Sequence, residues 1–182
     1  TQGYASARNG GVTGRAATVA SAYDSRRYSE EFALEAALVL GANGVKTYLF
    51  PQMRAVPQLS FAIGHLGADG GIVITASHNP AKYNGYKVYG ANGAQIGPEM
   101  AERVTQAIAA VPSFSAIKTM DREEALAEGL LVMLDKGEDD AYFAYTKELS
   151  LDPSLWRKAD GFPVVYTPLH GTGALAVPRL LG

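Results

Sequence analysis

The sequence predicts a three-layer α/β/α domain on a mixed, largely parallel sheet. Three observations carry that prediction. Strand-like and helix-like segments alternate between residues 16 and 76 at the spacing of repeated strand-helix units, which pair their strands in parallel. The run "GIVITA" at 71–76 is apolar at consecutive positions, as a strand covered on both faces must be. The composition, 47% hydrophobic and 19% charged over 182 residues, is that of a globular chain long enough to bury a core.

The elements follow in order. The first fourteen residues read as the tail of a helix running into a Gly-rich loop. With no initiator methionine, the chain is expected to begin in mid-element. "AATVASAYDSRR" is a strand of small and β-branched residues ending in a polar turn. From Ser29, "SEEFALEAALVLGANG" has a helix's marks: Ser29 as N-cap, Glu30 and Glu31 complementing the dipole, and a stop at Gly44. "VKTYLF" is the next strand, and Pro57 opens the helix "PQLSFAIGHLG" before "GIVITA". "YKVYGANGAQI" predicts a hairpin about Asn92-Gly93, which makes one strand antiparallel. "PEMAERVTQAIAAV", "DREEALAEGLL" and "EDDAYFAYTKELS" read as helices with Pro or acidic starts.

Near Asp152-Pro153 the pattern changes, and "FPVVYTPLHGTGALAVPRLLG" predicts a strand, a polar Gly-rich turn and a helix. One strand and one helix cannot bury their own apolar faces. Residues 1–150 are therefore expected to form one domain, truncated at its start, and residues 151–182 the linker and opening unit of an incomplete second domain.

Charge and composition narrow the function. A net charge of -2 with dispersed basic residues offers no footprint for nucleic acid. The chain has no cysteine, which excludes thiolate metal sites and a cysteine nucleophile and fits a reducing compartment. No apolar run approaches the roughly 20 residues of a membrane span, and no secretion signal is visible. A cytoplasmic protein without a membrane or nucleic-acid partner is expected.

The chemistry concentrates in "GIVITASHNPAKYNGYKVYG", where a buried strand delivers Ser77, His78 and Asn79 to one loop and Lys87 returns on the next strand. Ligands gather at such carboxyl ends of strands in open α/β sheets. A serine beside Asn-Pro ordinarily serves as a turn residue. Here its neighbours supply what a hydroxyl nucleophile needs: an orienting group, donors for an anion and a cation. The Gly-x-Ser-x-Gly elbow of acyl transfer is absent, as is a Walker loop. His65, His78 and His170 have no metal-site spacing. Phosphoryl transfer through the serine remains, with Lys87 as acid, base or phosphate cation.

"TASHNP" with "YNGYKVYG" resembles the phosphoserine loop of the α-D-phosphohexomutase superfamily, and "AYDSRR" before it and "YTPLHGTG" after it match that superfamily in order. The form is most similar to the bacterial α-phosphoglucomutases related to phosphopentomutases. The resemblance covers nearly the whole chain but about a third of a family enzyme, which has four domains around one cleft. It implies a domain I fold and an intramolecular phosphotransferase that interconverts glucose 1-phosphate and glucose 6-phosphate through a bisphosphorylated intermediate. Ser77 would carry the phosphoryl group, His78 would orient and hydrogen-bond, and Lys87 would assist proton movement. Asn79 would join these three at the substrate. Magnesium would bridge the Ser77 phosphoryl oxygen to aspartates of an Asp-Gly-Asp motif, which this sequence lacks. Glucose 1,6-bisphosphate would be the primer, a hexose phosphate the substrate, and further domains the partners.

Two alternatives stay open: a phosphomannomutase or phosphopentomutase, and a noncatalytic sugar-phosphate-binding domain. Arg26 and Arg27 match the superfamily's Asp-x-Arg turn, where a structural clamp and a substrate role are both open. His170 is read as a turn residue of the second domain, and Tyr83, Tyr86 and Tyr89 as packing. Asp139 and Asp140 suit a helix start rather than a metal site.

Overall fold

The computed structural model describes residues 1–152, 154–158 and 161–181. Its five-stranded sheet has the order β4-β3-β1-β2-β5, with β1 (Thr18–Tyr23), β2 (Lys46–Leu49), β3 (Gly70–Ile74) and β5 (Leu131–Met133) parallel and β4 (Tyr86–Gly90) antiparallel to β3. The antiparallel strand is the one expected from "YKVYG". Its hairpin partner shrinks to a single bridge between Tyr89 and Gln95, and Gly93 takes the left-handed turn position at φ 73°.

Side chains alternate along the strands and feed two cores. Val19, Tyr23, Ile72 and Ile74 face α1 (Gln2–Asn9), α2 (Ser29–Ala42), α4 (Pro98–Ala109) and α5 (Arg122–Ala127). Ala20, Ala22 and Val73 face Leu59, Ala62 and Ile63 of α3 (Val56–His65), which α6 (Lys136–Glu148) covers in turn. The three-layer expectation is met.

Four local expectations need correction. Ser29 is the first residue of α2 rather than its cap. Tyr28 holds the cap position at φ 64°, and the Ser29 hydroxyl donates to Asp24 Oδ1 at 2.7 Å. The helix expected over 121–131 ends at Ala127, because Gly129 turns left-handed at φ 68° and frees the apolar Leu131–Met133 to pair with β2. Helix α6 begins at Lys136, capped by the Asp135 carboxylate accepting from the Gly137 amide at 2.7 Å. The strand expected at 162–166 does not form among the described residues: Phe162, Val164 and Val165 are exposed and pair with no strand. Strand propensity alone makes no strand without a neighbouring strand to pair with, and among the described residues these have none.

Beyond α6 lie two short helices, α7 (Ser154–Lys158) and α8 (Ala176–Leu181). The latter rests on α6 through Arg179, which pairs with Asp140 and covers the Phe143 ring. The expected boundary at Asp152-Pro153 falls partly outside the described residues. No helix among them is long and apolar enough to cross a membrane.

Candidate active-site loop

Strand β3 is buried at every position and releases the chain into an exposed turn at its carboxyl end, so Ser77, His78 and Asn79 emerge where the parallel strands end. Ser77 is one of two non-glycine residues in the left-handed region among the described residues, at φ 55°. That conformation costs about 1–3 kcal/mol, and such strain persists only where its surroundings over-determine it. The surroundings do so here. The Ser77 amide donates to the buried Thr75 hydroxyl at 3.0 Å, and the Asn79 amide closes a turn on Ala76 O at 3.1 Å. The Ser77 hydroxyl lies 3.2 Å from His78 Nδ1, so an unprotonated Nδ1 accepts from it and holds the oxygen outward.

Arg26, at the end of β1, grips the same turn from below. Its Nη1 donates to Pro80 O at 3.1 Å and Tyr83 O at 2.8 Å, and its Nη2 to Ser77 O at 2.8 Å and Asn79 O at 2.6 Å. Nε faces Asp24 Oδ2 at 3.3 Å, while Asp24 Oδ1 accepts from the Arg26 amide and the Ser29 hydroxyl. Asn84 fastens the far end by donating to Ser29 Oγ at 2.9 Å and Arg27 O at 3.2 Å. Arg26 was open between clamp and substrate ligand on sequence. Thr75 and Asn84 were not singled out, and their only sequence signal was their position at the two ends of the loop.

Lys87 is half-buried on β4, directly opposite Val73 and one residue inside the strand's start. Alternation puts it on the α3 face of the sheet with Val73 and Tyr89. Among the described residues it forms no ion pair and no side-chain hydrogen bond, so its ammonium is left without an internal counter-charge. The loop thus unites Ser77, His78 and Asn79 directly and brings Lys87 back on the adjacent strand, with no bond joining Lys87 to Ser77.

The remaining candidates divide. The Arg27 side chain donates to the Tyr28 hydroxyl at 2.7 Å, and Arg27 meets the loop through its carbonyl, which accepts from Asn84. Tyr89 is core, whereas Tyr83 is half exposed and Tyr86 is 40% exposed. His170 O accepts from the Ser25 hydroxyl at 3.0 Å, so the Gly-rich turn of the tail touches the turn after β1. Beside it a cleft of about 540 Å³ is lined by Tyr23, Asp24, Arg26, Glu30, Met53 and Leu175 among others. Burial pushes the Tyr23 hydroxyl up to about 12, with the Glu30 charge adding to it. Ser77, His78, Asn79 and Lys87 do not line this cleft, so its size does not make it the reacting site.

Asp139 accepts both Nε and Nη2 of Arg54, and Asp140 pairs with Lys136 and Arg179, so neither is free for a metal. No grouping of three metal-binding side chains occurs among the described residues. Asp24, the carboxylate closest to the loop network, is engaged by Arg26 and Ser29.

A family model described as phosphoglucomutase/phosphomannomutase, alpha/beta/alpha domain I, matches residues 1–113. A phosphoglucomutase of Staphylococcus haemolyticus (strain JCSC1435) is 38% identical over 159 residues, covering 87% of this chain and 28% of that protein. The phosphoglucomutase of Staphylococcus aureus (strain USA300) is 35% identical over 164 residues, covering 90% of this chain and 29% of that protein. This chain thus spans less than a third of the length of the curated relatives it matches. In fold, it is similar to the open form of Paramecium pp63/parafusin, a phosphoglucomutase, with a TM-score of 0.70 at 16% identity over 94% of this chain and 36% of that one.

Proposed function

As the chain belongs to the phosphoglucomutase/phosphomannomutase family, we propose that it supplies the phosphoserine loop of a phosphoglucomutase interconverting glucose 1-phosphate and glucose 6-phosphate. Residues 1–150 form the phosphoserine domain in this reading, and residues 151–182 lead into a second domain of the same kind. The observation that carries it is Ser77: a strained, exposed serine whose hydroxyl meets His78 Nδ1 and whose backbone is held at its amide by Thr75 and at its carbonyl by Arg26. The names of the relatives favour glucose over mannose or pentose phosphates, and the cytoplasmic setting expected from the sequence belongs to the same reading.

The chemistry runs through the serine oxygen. Phosphorylated Ser77 meets a sugar hydroxyl; the Oγ–P bond breaks as the bond from phosphorus to the sugar oxygen forms. The sugar hydroxyl gives up its proton and the freed serine oxygen gains one, so no net proton is consumed; Lys87 is read as assisting that movement, and His78 Nδ1 is the hydrogen-bonded neighbour of the serine oxygen. Asn79 is the remaining polar side chain of the turn and is read as a substrate contact. The reverse transfer from the other phosphate of glucose 1,6-bisphosphate restores phosphoserine. Magnesium would act on the Ser77 phosphoryl group, but the described residues of this chain do not form a site for it on their own. The carboxylates that hold it are therefore assigned to further domains.

The test is a coupled assay of glucose 6-phosphate formation, using a polypeptide of the relatives' full length that carries this chain, with glucose 1-phosphate, magnesium and a trace of bisphosphate. Sustained turnover is expected there, and none from the 182-residue chain alone. Equal turnover by the short chain would put the whole active site in it; turnover on mannose phosphate only would transfer the assignment to a phosphomannomutase. In the long polypeptide, Lys87→Met is expected to lower kcat by about 10²–10⁴-fold, the usual worth of a general acid-base, with a smaller change in KM. An unchanged kcat with a raised KM would reduce Lys87 to a docking charge.

A further inference from the structure

We propose that Arg26 is a positioning residue for phosphoryl transfer and not a ligand of the sugar phosphate, an inference that rests on the Ser77 reading above. A guanidinium has four terminal N–H groups and one at Nε. The four terminal bonds of Arg26 go to the carbonyls of Ser77, Asn79, Pro80 and Tyr83. Nε is paired with Asp24, and the side chain is 14% exposed. No donor is left for an incoming phosphate.

What the clamp does follows from peptide geometry. A trans peptide sets its C=O and N–H on opposite sides. Drawing the Ser77, Pro80 and Tyr83 carbonyls onto one cation therefore turns the N–H groups of His78, Ala81 and Asn84 away from it. Among the described residues none of these three amides donates to a protein acceptor. Outward-facing backbone amides are fixed dipoles of the sign that a phosphoryl group requires, and they cost no reorganisation when charge develops. The His78 amide, next to Ser77 in the chain, is the first of these donors available to a phosphoryl group on Ser77. Arg26 thus does two things at once: it keeps Ser77 at its positive φ and presents the outer face of the turn as an anion cradle.

Lysine cannot replace it, because one ammonium with three donors cannot span four carbonyls. The test compares wild type with Arg26→Lys in a polypeptide of the relatives' full length, following phosphoryl uptake from glucose 1,6-bisphosphate by intact mass. Arg26→Lys is expected to take up the group at least about 10²-fold more slowly, the scale of a misplaced reacting group. KM for glucose 1-phosphate should stay within about threefold, since no substrate contact is lost. Amide exchange at Ser77, Asn79 and Tyr83 should quicken by about tenfold or more while strands β1 and β3 keep their protection, which separates a loosened loop from a misfolded domain. A raised KM with unchanged uptake would overturn the proposal and make Arg26 a phosphate ligand. Wild type that takes up no phosphoryl group would overturn the Ser77 assignment and the proposal with it, whereas modified wild type beside an equally fast variant would overturn the proposal alone.

Discussion

Replacing Ser77 with alanine is expected to lower mutase turnover by about 10³–10⁶-fold in a polypeptide of the relatives' full length, because a covalent nucleophile has no substitute within its own mechanism. The fold should be indifferent. Ser77 is exposed, and its hydroxyl contacts only His78 Nδ1 among the described residues. Alanine meets the same left-handed strain as serine, so the stability change should stay within about 0.5 kcal/mol. Turnover and denaturant midpoint, measured on the same preparation, separate the two effects. Near-normal turnover would remove Ser77 from the chemistry.

The largest expected loss of stability lies elsewhere, at Arg54. This residue is 5% exposed and donates to both oxygens of Asp139, at 2.8 and 2.7 Å, and to Met53 O at 2.9 Å. It ties the turn after β2 to the first turn of α6. Arg54→Met would leave Asp139 with the long bond from Gln58 Nε2 at 3.3 Å, beside Glu138, whose Oε1 is buried without a partner. Burial already raises the Glu138 carboxyl above its usual range, and His65 only partly offsets this. Breaking a buried pair typically costs 3–5 kcal/mol; Asp139 keeps some access to water, so about 3 kcal/mol is expected. Urea unfolding should show a lower midpoint at an unchanged slope, and Arg54→Met combined with Asp139→Asn should cost less than the two singles summed. Additive losses would mean that the pair is not coupled.

The legible parts of this molecule were those written locally. The apolar run of β3, the acidic first turn of α2, and the glycines at 44 and 93 each announce an element through a few neighbouring residues. Strand β5 was hidden because three apolar residues follow an Ala-rich acidic helix directly, and only pairing with β2, more than eighty residues earlier in the sequence, makes them a strand. The opposite error at 162–166 has the same root. Val164 and Val165 favour extended backbone, but propensity without a partner edge yields no strand. At the loop, residue types alone singled out Ser77, His78, Asn79 and Lys87 as candidates. The clamp did not show, since the carbonyls that Arg26 binds lie 51 to 57 positions away.

The central claim is that Ser77 carries the phosphoryl group. Its most direct test is intact and peptide mass analysis of a full-length polypeptide bearing this chain after incubation with glucose 1,6-bisphosphate, run beside Ser77→Ala. The account predicts a gain of one phosphoryl group, located on the peptide that holds Ser77, discharged by glucose 1-phosphate and absent from the alanine variant. An unmodified wild type, or a phosphoryl group at any other residue, would contradict it.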